Sequence, residues 1–194
     1  TFEGMLAWDY AIDGPRAGVL VAHTIQARLT KPDDDPWPLV DRLLSAPAGD
    51  PDNADRISPT LSKMWMKLPD ERRDLLKLLS RFDLSIDQAT RFFQPTERQK
   101  AGIDTTDSEI VKNPYRIYEL DRPSLEPVSV TTIDRGVFPP DQIRLNHPLP
   151  QPTAIDDQFD PRRVRALLVE QLERAAMAGD TLRSQDRLIQ AVRD

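Results

Sequence analysis

The sequence predicts an all-α fold assembled from many short helices, and three observations carry that prediction. Residues that cap helix N-termini stand directly before proline, or three residues before Glu or Gln, at six places. Between these starts apolar residues recur three and four positions apart, the spacing of one helical face. Runs of β-branched residues are almost absent: Val128 to Ile133 is the only one, and Arg135-Gly136 follows it at once.

Each element can be justified in turn. From Pro15 to Leu29, Val21, Ile25 and Leu29 stand four apart, as on a helix. Asp35-Pro36, Ser58-Pro59, Asn113-Pro114 and Asp160-Pro161 each place a capping side chain before a proline suited to the first helical turn. Leu68, Leu75, Leu76, Leu79 and Phe82 form a stripe opposite Arg72, Arg73 and Lys77. Capping boxes occur at Ser85 to Gln88 and at Thr106 to Glu109. The longest helix runs from Pro161 to Ala178, with Val164, Leu167, Leu168, Leu172 and Ala175 on one face and Gly179 as its stop. Ala46 to Asp55 reads as a flexible loop. The spaced prolines between His147 and Asp157 mark a second boundary. The organisation that follows is a helical region over 1–60, a pair of helical hairpins over 61–147 and the start of a small helical domain over 156–194.

Composition narrows the function classes. The chain has 194 residues, enough for one helical domain or two small ones with a buried core. At 39% hydrophobic and 30% charged it suits small helical units with much solvated surface. Cys is absent, which removes disulfides, thiolate metal sites and a Cys nucleophile, and favours a reducing, cytoplasmic setting. The longest apolar stretch, Ala17 to Ala22, is far too short to cross a bilayer, so no membrane partner is expected. Thr1 is not an initiator Met and Asp194 falls inside a helical pattern, so the chain reads as a piece of a longer polypeptide. Net charge is −6, and residues 1–60 hold 5 Lys/Arg against 10 Asp/Glu. That acidic first third speaks against a surface that grips phosphate along its whole length.

Catalytic constellations are missing. None of the 7 glycines opens a phosphate loop ending in Lys-Ser or Lys-Thr. His23 and His147 have no companion at ligand spacing; His23 fits a packed core residue and His147 a surface loop. Asp33, Asp34 and Asp35 could hold a hard cation but read better as a solvated turn whose last Asp caps the next helix. Trp8, Trp37 and Trp65 are too dispersed for a stacking platform and read as core anchors. The expectation is no catalytic residue, no metal site and no cofactor in this chain.

Two segments remain. Leu75 to Phe93 reads as a helix, a short turn at Phe82 to Leu84 and a second helix capped by Ser85. Asn113 to Phe138 reads as a helix, a loop and a second helix or turn around Thr131 to Val137. Such pairs can offer backbone N–H groups to a phosphate at the second helix's N-terminus.

In this order, the segments resemble the region ahead of the motor in RecD-like superfamily I ATP-dependent DNA helicases, the class of the exodeoxyribonuclease V alpha subunit. Leu84 to Phe93 is similar to that family's Ser/Thr-capped hairpin helix, and Asn113-Pro114-Tyr115-Arg116-Ile117 to its Asn-Pro-Tyr-Arg-Leu element. Arg163 to Leu168, Leu172 to Ala175 and Gly179 to Leu182 are similar to the helix that follows. The resemblance covers roughly residues 75–194. It implies tandem degenerate helix-hairpin-helix units, the start of a small winged-helix-like domain, and a parent ATPase whose ATP and Mg²⁺ would bind outside this chain. It also implies DNA as a partner, contacted by Lys112, Arg135, Arg162, Arg163 and Arg165 and by the N–H groups after Ser85. Two departures count against contact. Asp83 and Leu125-Glu126-Pro127-Val128 stand where the family's hairpin glycines would be, and Glu126 would repel a phosphate. Asp156, Asp157 and Asp160 lie close enough to neutralise the 162–165 arginines. The role the resemblance implies is an accessory region, non-catalytic by itself, that guides DNA near the motor or sets the geometry between upstream and motor domains. The alternative is a structural or protein-interaction module that binds no DNA.

Overall fold

Short helices need caps and tertiary partners to persist, since an isolated helix of six to ten residues is marginal in water. A computed structural model describes residues 25–29, 34–45 and 59–193, and among them every regular element is helical. A helical turn covers residues 25–28. Eleven further helices follow: α1 (Trp37–Ser45), α2 (Pro59–Lys67), α3 (Asp70–Leu79), α4 (Ile86–Phe93), α5 (Pro95–Lys100), α6 (Asp107–Lys112), α7 (Arg116–Asp121), α8 (Val130–Val137), α9 (Asp141–Asn146), α10 (Pro161–Met177) and α11 (Gln185–Arg193). The expectations for Val21, His23, Trp8, Asp33, the 46–55 loop and the Ser58 cap fall outside the described residues.

Local chemistry sets most boundaries. Both capping boxes form: Ser85 Oγ accepts from the Gln88 N–H while the Gln88 side chain accepts from Ser85, and Thr106 with Glu109 repeats the exchange. Asp35, Asn113 and Asp160 each accept the N–H two residues on, at 3.1, 3.1 and 2.8 Å. Gly102 and Gly179, at φ +69° and +89°, close Schellman motifs after α5 and α10. The β-branched run at 128–133 becomes the start of α8, because Ser129 Oγ accepts from the Thr132 N–H at 3.0 Å and caps it.

One hydrophobic cluster reaches from Ile25 through α3, α4, α6, α7 and α8 to Ile155 and Ala166. α3 forms its middle: Leu75, Leu76, Leu78 and Leu79 are all buried, and α3 packs on both α4 and α6. α7 and α8 pack on each other and carry α10, with α11 folded back on α10. The face of α10 turned to this core differs from the apolar stripe in the sequence. Ala166 is buried in the cluster with Leu167 and Val169 against it, whereas Leu172 is 48% exposed. At about 100° per residue, Val164, Leu168 and Ala175 lie on the opposite side, where Ala175 is buried as well, and α11 packs on α10. The core-facing side instead holds Arg163 and Glu173, which reach α8 and α7.

α8 meets the turn after α3 at Gly136. A Cβ there would strike the Phe82 ring and come within 2.9 Å of the Arg81 carbonyl oxygen. Gly136→Ala is therefore expected to cost about 2 kcal/mol through overpacking, outweighing the gain in helix propensity. A lowered urea midpoint with unchanged slope would report it.

Candidate nucleic-acid interface

The N-terminus of α4 is the first place where a phosphate could meet backbone N–H groups. Its own side chains already cover it. Ser85 and Gln88 cap each other, and Gln88 Nε2 donates to the Glu126 carbonyl at 3.2 Å, which lays the 122–129 loop across this end. Asp87 adds a negative charge in the first turn. The turn before it closes through Phe82 N–H to Leu79 and Leu84 N–H to Phe82. Among the described residues only Gly102 and Gly179 have positive φ, so this turn needs no glycine and Asp83 fits it without strain. It also forms no glycine cradle for a phosphate.

The arginines at the start of α10 have internal partners. Arg162 is half-buried and donates to both oxygens of Asp160, at 2.9 and 2.8 Å. It also donates to the carbonyls of Lys112 (2.7 Å), Pro152 (3.3 Å) and Ala154 (2.9 Å). Arg163 grips Asp134 of α8 with Nε at 3.0 Å and Nη2 at 2.7 Å, donates to the Gln158 carbonyl, and lies 5.4 Å from the Phe138 ring centroid. The same carboxylate accepts from the buried Tyr115 hydroxyl. Burial and that neighbouring carboxylate push the Tyr115 phenol far above its ordinary range. Arg165 is more exposed and pairs with Glu119 of α7 at 2.8 Å.

Lys112 and Arg135 remain exposed, and among the described residues no ion pair includes either side chain. The five predicted contact residues thus divide into two exposed cations, Lys112 and Arg135, and three arginines that hold carboxylates, Arg162, Arg163 and Arg165. Arg162 does meet residue 112, but through the Lys112 carbonyl rather than its ammonium.

The structure does bring together residues that the sequence keeps apart. Asp35 and Trp37 at the start of α1, Lys77 on α3, Arg81 after it, and His147 in the proline loop line one cleft of about 370 Å³. Their separation along the chain left no motif, and Asp35 read as a cap in a solvated acidic turn. Among the described residues no group of three or more His, Cys, Asp or Glu could hold a metal ion, and no helix is long and apolar enough to cross a membrane. No protein-family model, curated protein or solved structure matches the chain.

These contacts separate structural from available arginines. Arg163→Ala strands Asp134 and is expected to cost about 2 kcal/mol, whereas Arg135→Ala should stay within about 0.5 kcal/mol, read by chemical denaturation. The Asp160 carboxyl adds a pH signature. Its hydrogen bond from the Arg162 side chain, helped by the Arg162 N–H and opposed by burial, holds it below the usual value of 3.8. A depressed carboxylate stabilises the fold above its unfolded pKa and loses that contribution as pH falls through the folded one. Asp160→Asn should flatten the stability profile below about pH 4, measured as urea midpoint against pH.

Proposed function

We propose that this chain is a non-catalytic scaffolding region of a RecD-like ATP-dependent DNA helicase, holding its motor in fixed geometry against neighbouring parts of the polypeptide. ATP and Mg²⁺ belong to that motor, and the residues here bind neither. The observation that carries the scaffold role is the inward orientation of Arg162 and Arg163. These two side chains tie α10 to the 112–154 segment and to α8, and a phosphate would have to displace a carboxylate to reach them. The helicase assignment rests on the order of the three sequence elements, Leu84 to Phe93, Asn113 to Ile117 and Arg163 to Leu182. The same features suit a protein-interaction module that binds no DNA.

A DNA-guiding role is the second reading, favoured by the exposed Lys112 and Arg135, which pair with no acid among the described residues. Fluorescence anisotropy with single-stranded and forked DNA across a salt series distinguishes the two. The scaffold reading expects no salt-sensitive binding from a chain whose helical circular dichroism is intact. Binding that falls steeply with salt, and falls further in Lys112→Glu/Arg135→Glu, would instead establish phosphate contact, because each neutralised phosphate releases counterions.

A further inference from the structure

The cleft between α1, α3 and the proline loop has the size of a small-ligand site, about 370 Å³. Its inner surface is apolar: Leu78 and Val111 are buried in its wall, with Leu149 and the Trp37 ring beside them. Two cations face the same space. Lys77 Nζ lies 5.8 Å from the Trp37 ring centroid, a cation–π contact, and among the described residues no ion pair includes it.

Arg81 is the more telling group. Arg72, Arg91, Arg98, Arg162 and Arg163, all half-buried or deeper, each have a carboxylate within 3.0 Å. Arg81 is half-buried too, yet among the described residues its guanidinium donates to two neutral carbonyls, Gly136 at 3.3 Å and His147 at 2.9 Å, and to no carboxylate. Burial weakens its charged form, and the compensating charge it feels is Asp35, beyond ion-pair distance. Asp35 and Asp74 sit exposed at the rim, where water screens them, while Lys77 and Arg81 are partly desolvated. A charge withdrawn from water gains more from a partner than one left in it. The interior of the cleft therefore favours an anion, and the two rim carboxylates disfavour a multiply charged one.

We propose that this cleft binds a small aromatic monocarboxylate, its carboxylate between Lys77 and Arg81 and its ring against Trp37 and Leu149. The occupant is a monoanion with an apolar body rather than a polyphosphate.

The test follows the Trp37 indole N–H by nuclear magnetic resonance, its signal identified by its loss in Trp37→Phe. Phenylacetate and indole-3-acetate are titrated, with phenylacetamide as the uncharged control of the same shape. At least one acid is expected to shift the Trp37 signal saturably with Kd near or below about 1 mM, at least about tenfold tighter than the amide. Arg81 also anchors Gly136 and the proline loop, so its removal could disturb the fold. Lys77→Gln leaves those hydrogen bonds in place and removes one cation–π contact, so it should weaken acid binding roughly fivefold while moving the thermal midpoint by no more than about 4 °C. Asp74→Asn should tighten it. No saturable shift with either acid up to about 10 mM, or equal binding of acid and amide, overturns the proposal.

Discussion

Asp107 sits between two guanidiniums, Arg72 of α3 at 3.0 Å and Arg98 of α5 at 2.7 Å, and the packing of four helices depends on it. Arg98 is only 6% exposed, and its remaining donors go to the carbonyls of Phe92 and Thr105, at the end of α4 and just before α6. Arg72 adds a 2.6 Å bond to the Phe93 carbonyl and stacks 4.2 Å over the Phe93 ring. One carboxylate at the first position of α6 thus fixes where α3 lies, where α4 ends and how α5 turns. The geometry suits it, since an acid in the first helical turn also meets the positive end of the helix dipole. Removing that acid would leave two buried or half-buried arginines without a counter-charge, the costly way to break such a network.

The same device recurs along the chain. Asp121, fully buried, takes Arg91 at 2.7 Å, the Ser124 hydroxyl at 2.8 Å and the Val128 N–H at 2.8 Å, so it shapes the 122–129 loop and ties it to α4. Asp134 joins Tyr115 to Arg163, and Glu173 receives Tyr118 at 2.7 Å and Arg122 at 2.8 Å. Asp107 and Asp121 stand at helix ends, Asp134 and Glu173 within helices, and all four bond across an element boundary. Helices of six to ten residues bury too little apolar surface for hydrophobic packing alone to fix their relative positions. Directional, charge-assisted hydrogen bonds supply that specificity, and they account for a charged fraction as high as 30% in a chain with a continuous core.

This division explains what could be read from the sequence. Caps are local, so Ser85 with Gln88, Thr106 with Glu109, and Asp160 before Pro161 announced α4, α6 and α10 directly. Gly179 announced the end of α10 for the same reason. Partners across the fold are not local. Arg163 and Asp134 lie 29 positions apart, and Arg162 meets Lys112 at a separation of 50. Asp160 was visible as a neutralising neighbour of the 162–165 cluster, whereas Asp134 and Glu119 were not. The apolar stripe of α10 is covered only in part: Ala175 is buried and Leu167 packs on the core, whereas Leu172 satisfies helical periodicity as well as Ala166 does and stays exposed. The Asp35–Trp37–Arg81–His147 cleft left no trace because four separated segments, Val111 among them, build it.

An arginine-rich helix start is the feature most easily mistaken for a phosphate reader. Its meaning turns on what the guanidinium would have to give up. Arg163 holds Asp134 with two parallel N–H donors, and that carboxylate simultaneously satisfies a buried tyrosine hydroxyl. Pulling Arg163 outward to a phosphate would leave both groups without their cation, a loss that one solvent-exposed phosphate contact does not offset. Arg165 differs, being 68% exposed on its side chain and paired singly with Glu119. An exposed pair of this kind is worth little and exchanges readily. The distinction between a tie and a contact group is therefore set by the number and burial of partners, and by that measure Arg162 and Arg163 belong to the architecture while Arg165, Lys112 and Arg135 form its accessible charge.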